Sequence, residues 1–229
     1  IISLNPNVLI EARAKDRLRQ KELEHPIYGM PVLLKDNINA LPMVTTAGAA
    51  AFSDNVPQSD AFLVKQLKDK GALVLGKVNL SEWAYYFCQG CPVGYSAMGG
   101  QTLNPYGRRQ FETGGSSSGS GVAVAANYAV AAIGSETSGS ILSPSGKNSV
   151  VGLKPTIGAV SRSGVVPISS TLDTAGPMTK NVVDNAILLS AITGLDSKDS
   201  YSYASQSIRF QGLDTIQMKG KRLGLIRNF

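Results

Sequence analysis

The sequence of 229 residues has a single histidine and only two cysteines, and no apolar run approaches the roughly 18 residues that span a membrane. One histidine, His25, excludes histidine-rich metal centres and leaves one candidate for a Ser-His-Asp arrangement. Cys88 and Cys91 form one C-x-x-C pair, but a zinc site needs two more ligands and no second pair exists. A redox couple stays open, although two ordinary cysteines are the favoured interpretation.

The sequence also lacks a concentration of charge. Its 22 Lys and Arg residues exceed its 16 Asp and Glu residues to give a net charge of +6, but they are dispersed along the chain. Nucleic-acid-binding proteins usually cluster their basic residues and interleave aromatic ones. We therefore predict no nucleic-acid partner and no membrane span, and the oligomeric state is left open. Because the first residue is Ile rather than Met, the sequence does not reveal the compartment.

Apolar stretches with helical spacing alternate with short runs typical of buried strands. The predicted helices cover residues 8–24, 59–70, 119–129 and 182–192, and the predicted strands cover 31–35, 72–77, 130–133 and 223–226. This alternation predicts an α/β fold with a mixed, largely parallel central sheet covered by helices. We expect one domain over residues 1–229. Because the last predicted strand lies so close to the C-terminus, we expect that domain to be truncated there.

A tract of only Gly and Ser occupies residues 114–121 and leads directly into a helical pattern. A flexible linker is the plain interpretation, but apolar sequence on both sides favours a tight turn that directs amides and hydroxyls into a site. Residues 115–119 match G-x-S-x-G, yet that device needs a histidine downstream of the serine and His25 lies upstream. Serine chemistry here therefore needs a different base.

Lys35 is the natural candidate for that base. It follows the apolar run 31–34, and burial disfavours the charged form of a lysine and lowers its pKa toward neutrality. A strand-end lysine that faces water is the alternative. A second Gly-Ser segment, 134–140, permits a turn whose successive amides face one point, as an oxyanion hole requires.

Six stretches of the sequence combine these features: 29–37 (GMPVLLKDN), 71–79 (GALVLGKVN), 114–120 (GGSSSGS), 136–141 (ETSGSI), 151–156 (VGLKPT) and 173–178 (DTAGPM). Together they resemble the amidase signature family, and 79–83 (NLSEW) and 99–102 (GGQT) are most similar to its peptide-amidase branch. The resemblance implies an amidase that works through an acyl-enzyme with a Ser-Ser-Lys triad. In that triad Ser140 is the nucleophile and Lys35 the base, while Ser116, after a cis peptide bond, bridges them.

The resemblance also implies supporting groups. The backbone amides of Thr137, Ser138, Gly139 and Ser140 match the family's oxyanion hole, and Ser117 supports the network by hydrogen bonds. No metal or organic cofactor is implied, and the expected partner is a small-molecule or peptide amide substrate.

Two alternatives to a hydrolase stay open. One is an inactive or truncated amidase-fold module that serves as a partner subunit or binding module. The other is an amidotransferase subunit. Leu142 stands where the branch of the family that makes glutaminyl-tRNA has Arg, and this difference argues against that branch.

Overall fold

The computed structural model describes residues 1–18, 25–88, 90–203 and a few isolated positions after 203. The helices are α1 (Val8–Leu18), α2 (Phe62–Asp69), α3 (Ser118–Ala125), α4 (Leu142–Lys147) and α5 (Val182–Ile192). The strands are β1 (Ser3–Leu4), β2 (Pro31–Lys35), β3 (Leu73–Val78), β4 (Tyr95–Ser96), β5 (Gly100–Gln101), β6 (Ala131–Glu136), β7 (Val151–Gly152) and β8 (Thr174–Thr179).

A six-stranded sheet with the order β1-β3-β2-β6-β8-β7 forms the centre of the described chain. Strands β3, β2 and β6 are parallel neighbours, whereas β8 runs antiparallel to β6 and β1 antiparallel to β3. The prediction of a mixed sheet flanked by helices is thus confirmed. Because the carboxyl ends of parallel strands lie at one edge of a sheet, Lys35 and Glu136 finish their strands close together.

Strand β2 shows how alternation assigns side chains to the two faces of the sheet. Val32 and Leu34 belong to a large apolar cluster with residues of α2 and α5, whereas Leu33 packs with Val124 of α3. Because side chains two residues apart share a face, Lys35 lies on the α3 side with Leu33. All five of these residues are in the fully buried centre, at 0–1% exposure.

Helix α3 consists of small residues because it packs very close to the sheet. A Cβ atom on Gly119 would come within 2.5 Å of the Asn79 carbonyl oxygen, so only glycine fits there. The Gly119 amide donates to that same oxygen at 2.9 Å. This close approach brings the N-terminal end of α3, with its serines, next to the carboxyl ends of β2 and β3.

Several boundaries differ from the sequence predictions. Helix α2 begins after Ala61 and has no side-chain cap, because Asp60 instead accepts a hydrogen bond from the Leu41 amide and pairs with Lys68. Strand β6 continues to Glu136, since residues 134–136 pair with β8 instead of forming a turn. Residues 19–24 of the first predicted helix and most of the predicted strand 223–226 lie outside the described residues.

No helix within the described ranges is both long enough and apolar enough to cross a membrane.

Candidate active site

Lys35 is the last residue of β2, and its side chain is completely buried. Its Nζ atom lies 2.7 Å from Ser116 Oγ, 3.0 Å from Ser135 Oγ and 3.1 Å from the Ser135 carbonyl oxygen. Burial lowers the pKa of the Lys35 ammonium from 10.5 to about 7, while the carboxylates of Glu136 and Asp173 oppose the shift. The amine therefore exchanges its proton near neutral pH, as the sequence predicted for a lysine at a buried strand end.

The serines before α3 fix the contact with Lys35. The peptide bond between Gly115 and Ser116 is cis, as the family resemblance implied. Ser116 and Ser117 are both completely buried, and Ser117 Oγ donates to the Ser135 carbonyl at 3.0 Å and accepts from the Ser135 amide at 3.2 Å. Ser117 thus ties the start of α3 to the end of β6.

Ser140 lies in the short loop between β6 and α4. Its carbonyl oxygen accepts from the Ser117 amide at 3.1 Å, which places the loop against the other serines. The Glu136 carboxylate accepts from the amides of Ile141 and Leu142 at 2.6 and 2.9 Å and so fixes the start of α4. Ser140 is 9% exposed, and within the described ranges its hydroxyl makes no hydrogen bond, in contrast to the Ser116 hydroxyl.

The loop that precedes Ser140 includes one residue with a left-handed backbone. Gly139 has a φ of +80°, a left-handed conformation that glycine adopts without strain. Apart from hydrogen bonds within the sheet, no backbone carbonyl of the described residues accepts from the amides of Thr137, Ser138, Gly139 and Ser140. The Thr137 hydroxyl donates to Asp173 Oδ1 at 2.5 Å, so the first residue of the loop is anchored to the opposite wall.

A cavity of about 350 Å³ opens beside this loop. Its walls include Asn37, Thr137, Arg162, Ser169, Asp173 and Lys198. Arg162 is fixed by Asp199, which accepts from its Nε at 2.9 Å and from its Nη2 at 2.5 Å, and the Arg162 guanidinium lowers the pKa of the Asp199 carboxyl to about 2. The guanidinium also stacks 4.5 Å from the centre of the Tyr201 ring. This wall is therefore polar, and the ion pair of Arg162 with Asp199 links its parts.

A second cavity of about 310 Å³ is apolar and adjoins the first. Trp83, Phe87, Leu80 and Ala47 line it, together with residues 166–168, which also line the polar cavity. Trp83 and Phe87 pack edge to face with their ring centres 5.5 Å apart. The two cavities thus offer a polar and an aromatic environment on either side of one shared wall.

Three features of the site were missed from the sequence. Ser135 holds the Lys35 amine, and Asn37 donates to Ser135 Oγ at 2.9 Å. Asp36, the residue after Lys35, forms a fully buried ion pair with Lys77 at 3.1 Å. The position of Lys77 near the end of an apolar strand was a usable signal, because a lysine buried there either loses its charge or requires a carboxylate partner.

Cys88 and Cys91 are joined by a disulfide, so the favoured interpretation of two ordinary cysteines is wrong. Cys88 directly follows Phe87 in the chain. Within residues 1–18, 25–88 and 90–203, no group of three or more His, Cys, Asp or Glu side chains is placed to hold a metal ion.

Comparison with known proteins gives consistent matches along the chain. The family model described as Amidase matches residues 1–229. A probable amidase of Arabidopsis thaliana is 44% identical over 99% of this chain, and a glutamyl-tRNA(Gln) amidotransferase subunit of Lachnospira eligens is 39% identical over 95% of it. The chain spans only 46% and 44% of those two proteins.

Solved structures show the same similarity. The peptide amidase from Stenotrophomonas maltophilia superposes with a TM-score of 0.87 and 52% identity over 92% of this chain and 43% of its own. An amidase family protein from Bacillus anthracis superposes with a TM-score of 0.85 and 50% identity over 87% of this chain and 40% of its own.

Proposed function

The chain belongs to the Amidase family, and we propose that it carries the catalytic residues of an enzyme that hydrolyses a carboxylic amide through an acyl-enzyme on Ser140. One observation carries the proposal: the completely buried Lys35 amine, with a pKa of about 7, lies 2.7 Å from the Ser116 hydroxyl. A neutral amine in that position accepts a proton from Ser116, which in turn accepts one from Ser140.

The first half of the proposed reaction forms the acyl-enzyme. Ser140 Oγ bonds to the substrate carbonyl carbon while its proton passes to Ser116 and the Ser116 proton passes to Lys35. The carbonyl oxygen becomes an oxyanion that the amides of residues 137–140 stabilise. When the tetrahedral intermediate breaks, the C–N bond is lost and the leaving nitrogen takes a proton from Ser116, which Lys35 replaces.

The second half releases the acid. A water molecule takes the place of the departed amine and gives its proton through the same hydroxyl to Lys35 as it attacks the acyl carbon. The bond to Ser140 then breaks, and Ser140 regains its proton from Lys35 through the Ser116 hydroxyl, which leaves the amine neutral again. Every proton transfer uses groups of this chain, and the rate enhancement comes from a positioned nucleophile, a matched base and preorganised amides.

The substrate proposal follows the similarity to peptide amidase. A peptide or other acyl amide has polar groups for the polar cavity and can carry an apolar side chain for the aromatic one. Such a compound fits the two adjoining cavities better than one that has groups for a single cavity. The second candidate function is that of an amidotransferase component, since glutamyl-tRNA(Gln) amidotransferase subunits are among the relatives. Leu142, which replaces the Arg expected in that branch, favours the hydrolase.

Covalent labelling tests the proposal directly. A fluorophosphonate should modify Ser140 in the intact protein, peptide mapping should locate the adduct there, and labelling should abolish hydrolysis of peptide amides. Ser143→Ala is a matched control, since Ser143 lies three residues away at the start of α4. Labelling that persists after Ser140→Ala would contradict the assignment of the nucleophile. Hydrolysis that requires a co-purifying protein would favour the amidotransferase candidate.

A further inference from the structure

Asn37 carries a polar group that the fold leaves unused. It follows β2 by two residues and is only 5% exposed. Its Nδ2 donates to Ser135 Oγ at 2.9 Å, but its Oδ1 has no hydrogen-bond partner among the described residues. Buried polar atoms are nearly always paired, so an unpaired acceptor beside an active site needs an explanation.

The orientation of the Asn37 carboxamide is set by its neighbours. Ser135 Oγ lies 3.0 Å from Lys35 Nζ and 2.9 Å from Asn37 Nδ2, and its two lone pairs accept from both. Since Nδ2 is used toward Ser135, Oδ1 points away from it. The hydroxyl that holds the Lys35 amine therefore also fixes the direction of the free acceptor.

Asn37 stands where the two cavities meet. Asn37 lines both the polar cavity and the aromatic one. Its backbone carbonyl accepts from the amide of Val166, which lies on the wall that the two cavities share. Two other buried asparagines, Asn148 and Asn185, have an unpaired Oδ1 as well, but neither lines these cavities. The position of Asn37, rather than its unpaired atom alone, distinguishes it.

We propose that Asn37 Oδ1 accepts the N–H of the substrate's reacting amide, while an apolar side chain of the substrate occupies the cavity lined by Trp83 and Phe87. This inference rests on the proposed function and assigns a binding residue that the Ser-Ser-Lys triad does not include. An amide nitrogen that enters the buried site loses its hydrogen bonds to water, and Asn37 Oδ1 replaces one of them. An ester offers no such donor, so Asn37 selects amides over esters.

Equilibrium binding to an inactive enzyme tests this selection apart from catalysis. The background is Ser140→Ala in the intact protein, and the probes are N-acetyl-L-phenylalaninamide and N-acetyl-L-phenylalanine methyl ester, titrated by calorimetry. Asn37→Leu removes the acceptor, Asn37→Asp keeps an oxygen acceptor, and Asn185→Leu removes an equivalent buried asparagine elsewhere. If Asn37→Leu does not fold, Asn37→Ala makes the same comparison.

We expect Asn37→Leu to weaken amide binding about tenfold, as for the loss of one hydrogen bond, and to change ester binding less than about twofold. Asn37→Asp should restore the preference for the amide, and Asn185→Leu should leave the ratio of the two dissociation constants unchanged. If Asn37 had a merely structural role, Asn37→Leu would weaken the binding of both probes equally.

Equal weakening of amide and ester, or an unchanged ratio in Asn37→Leu, would overturn the inference, and the proposed function stays intact if a fluorophosphonate labels Ser140 in the protein that retains this serine. Failure of the Ser140→Ala protein with Asn37 intact to bind the amide would also overturn the inference. If Ser140 is not labelled and no amide is hydrolysed, the proposed function itself fails.

Discussion

Replacing Lys35 with methionine removes the buried amine but keeps a side chain of similar length, and we expect a variant that is inactive yet more stable than the parent at low pH. Lowering the pKa from 10.5 to about 7 corresponds to roughly 5 kcal/mol of preference for the neutral amine. The hydrogen bonds from Nζ to Ser116 and Ser135 offset part of this, at about 1 kcal/mol each. The net gain for Lys35→Met is therefore roughly 2–3 kcal/mol.

The sign of the pH dependence follows from proton binding. Below pH 7 both the folded and the unfolded chain hold the Lys35 proton, so the folded state bears the full cost of a buried ammonium. Between pH 7 and 10.5 only the unfolded chain holds it, so the stability of the parent rises with pH. The advantage of Lys35→Met should thus be greatest below pH 7 and fall by about 1.4 kcal/mol for each pH unit above it. Because the lost hydrogen bonds of Nζ do not depend on pH, the advantage should reach zero at about pH 9 and reverse above it.

Urea unfolding of both proteins at pH 6, 8 and 9.5 measures this difference, and all groups other than Lys35 cancel in the comparison. Activity gives an independent readout: the parental acylation rate should fall about tenfold for each pH unit below 7 and level off above it. Lys35→Arg should also be inactive, because guanidinium does not release its proton in this range. A pH-independent difference in stability, or substantial activity in the Arg variant, would refute the reasoning.

Three further outcomes are expected. Ser140→Ala should lower amide hydrolysis by about 10⁶ without changing the melting temperature by more than a few degrees, and more than a hundredth of parental activity would exclude Ser140 as nucleophile. The double variant Cys88→Ala, Cys91→Ala should keep its activity in the presence of a chelator, and zinc-restored activity after metal removal would contradict a metal-free mechanism. Asp36→Ala should lower the free energy of unfolding in urea by about 3–5 kcal/mol because it leaves the buried Lys77 ammonium unpaired. The double variant Asp36→Leu, Lys77→Met should lose less stability, and equal losses would argue against the ion pair as the cause.

Local patterns in the sequence predicted the elements that carry the site. Strand β2 and helix α5 have the predicted bounds, 31–35 and 182–192. The first is a short apolar run typical of a buried strand, and the second is a long apolar segment that follows Asn181, so each pattern favours one type of secondary structure. Asn181 caps α5 through a hydrogen bond from the Asp184 amide at 2.8 Å. The apolar run before Lys35 and the family resemblance both pointed to this lysine, and in the structure it contacts Ser116.

Strand β8 was missed for a physical reason. Residues 174–179 contain Gly176 and Pro177, which disfavour a strand when the segment is considered alone. In the fold the segment pairs with the whole of β6, and this long-range pairing overrides the local preference. It also places Asp173, the residue before β8, where its carboxylate accepts from the Thr137 hydroxyl in the loop before Ser140.

By itself the sequence determined which groups are chemically available: a lysine after an apolar strand, serines among glycines, and one histidine that cannot serve an α/β-hydrolase triad. Only the tertiary structure decided how they combine, because parallel pairing of β2 with β6 and the close approach of α3 bring residues about 80 to 100 positions apart into hydrogen-bond distance. The lowered pKa of Lys35, the free oxygen of Asn37 and the adjoining cavities are properties of that assembly. These properties depend on the side chains that surround each group in space, and residues adjacent in the sequence do not determine them.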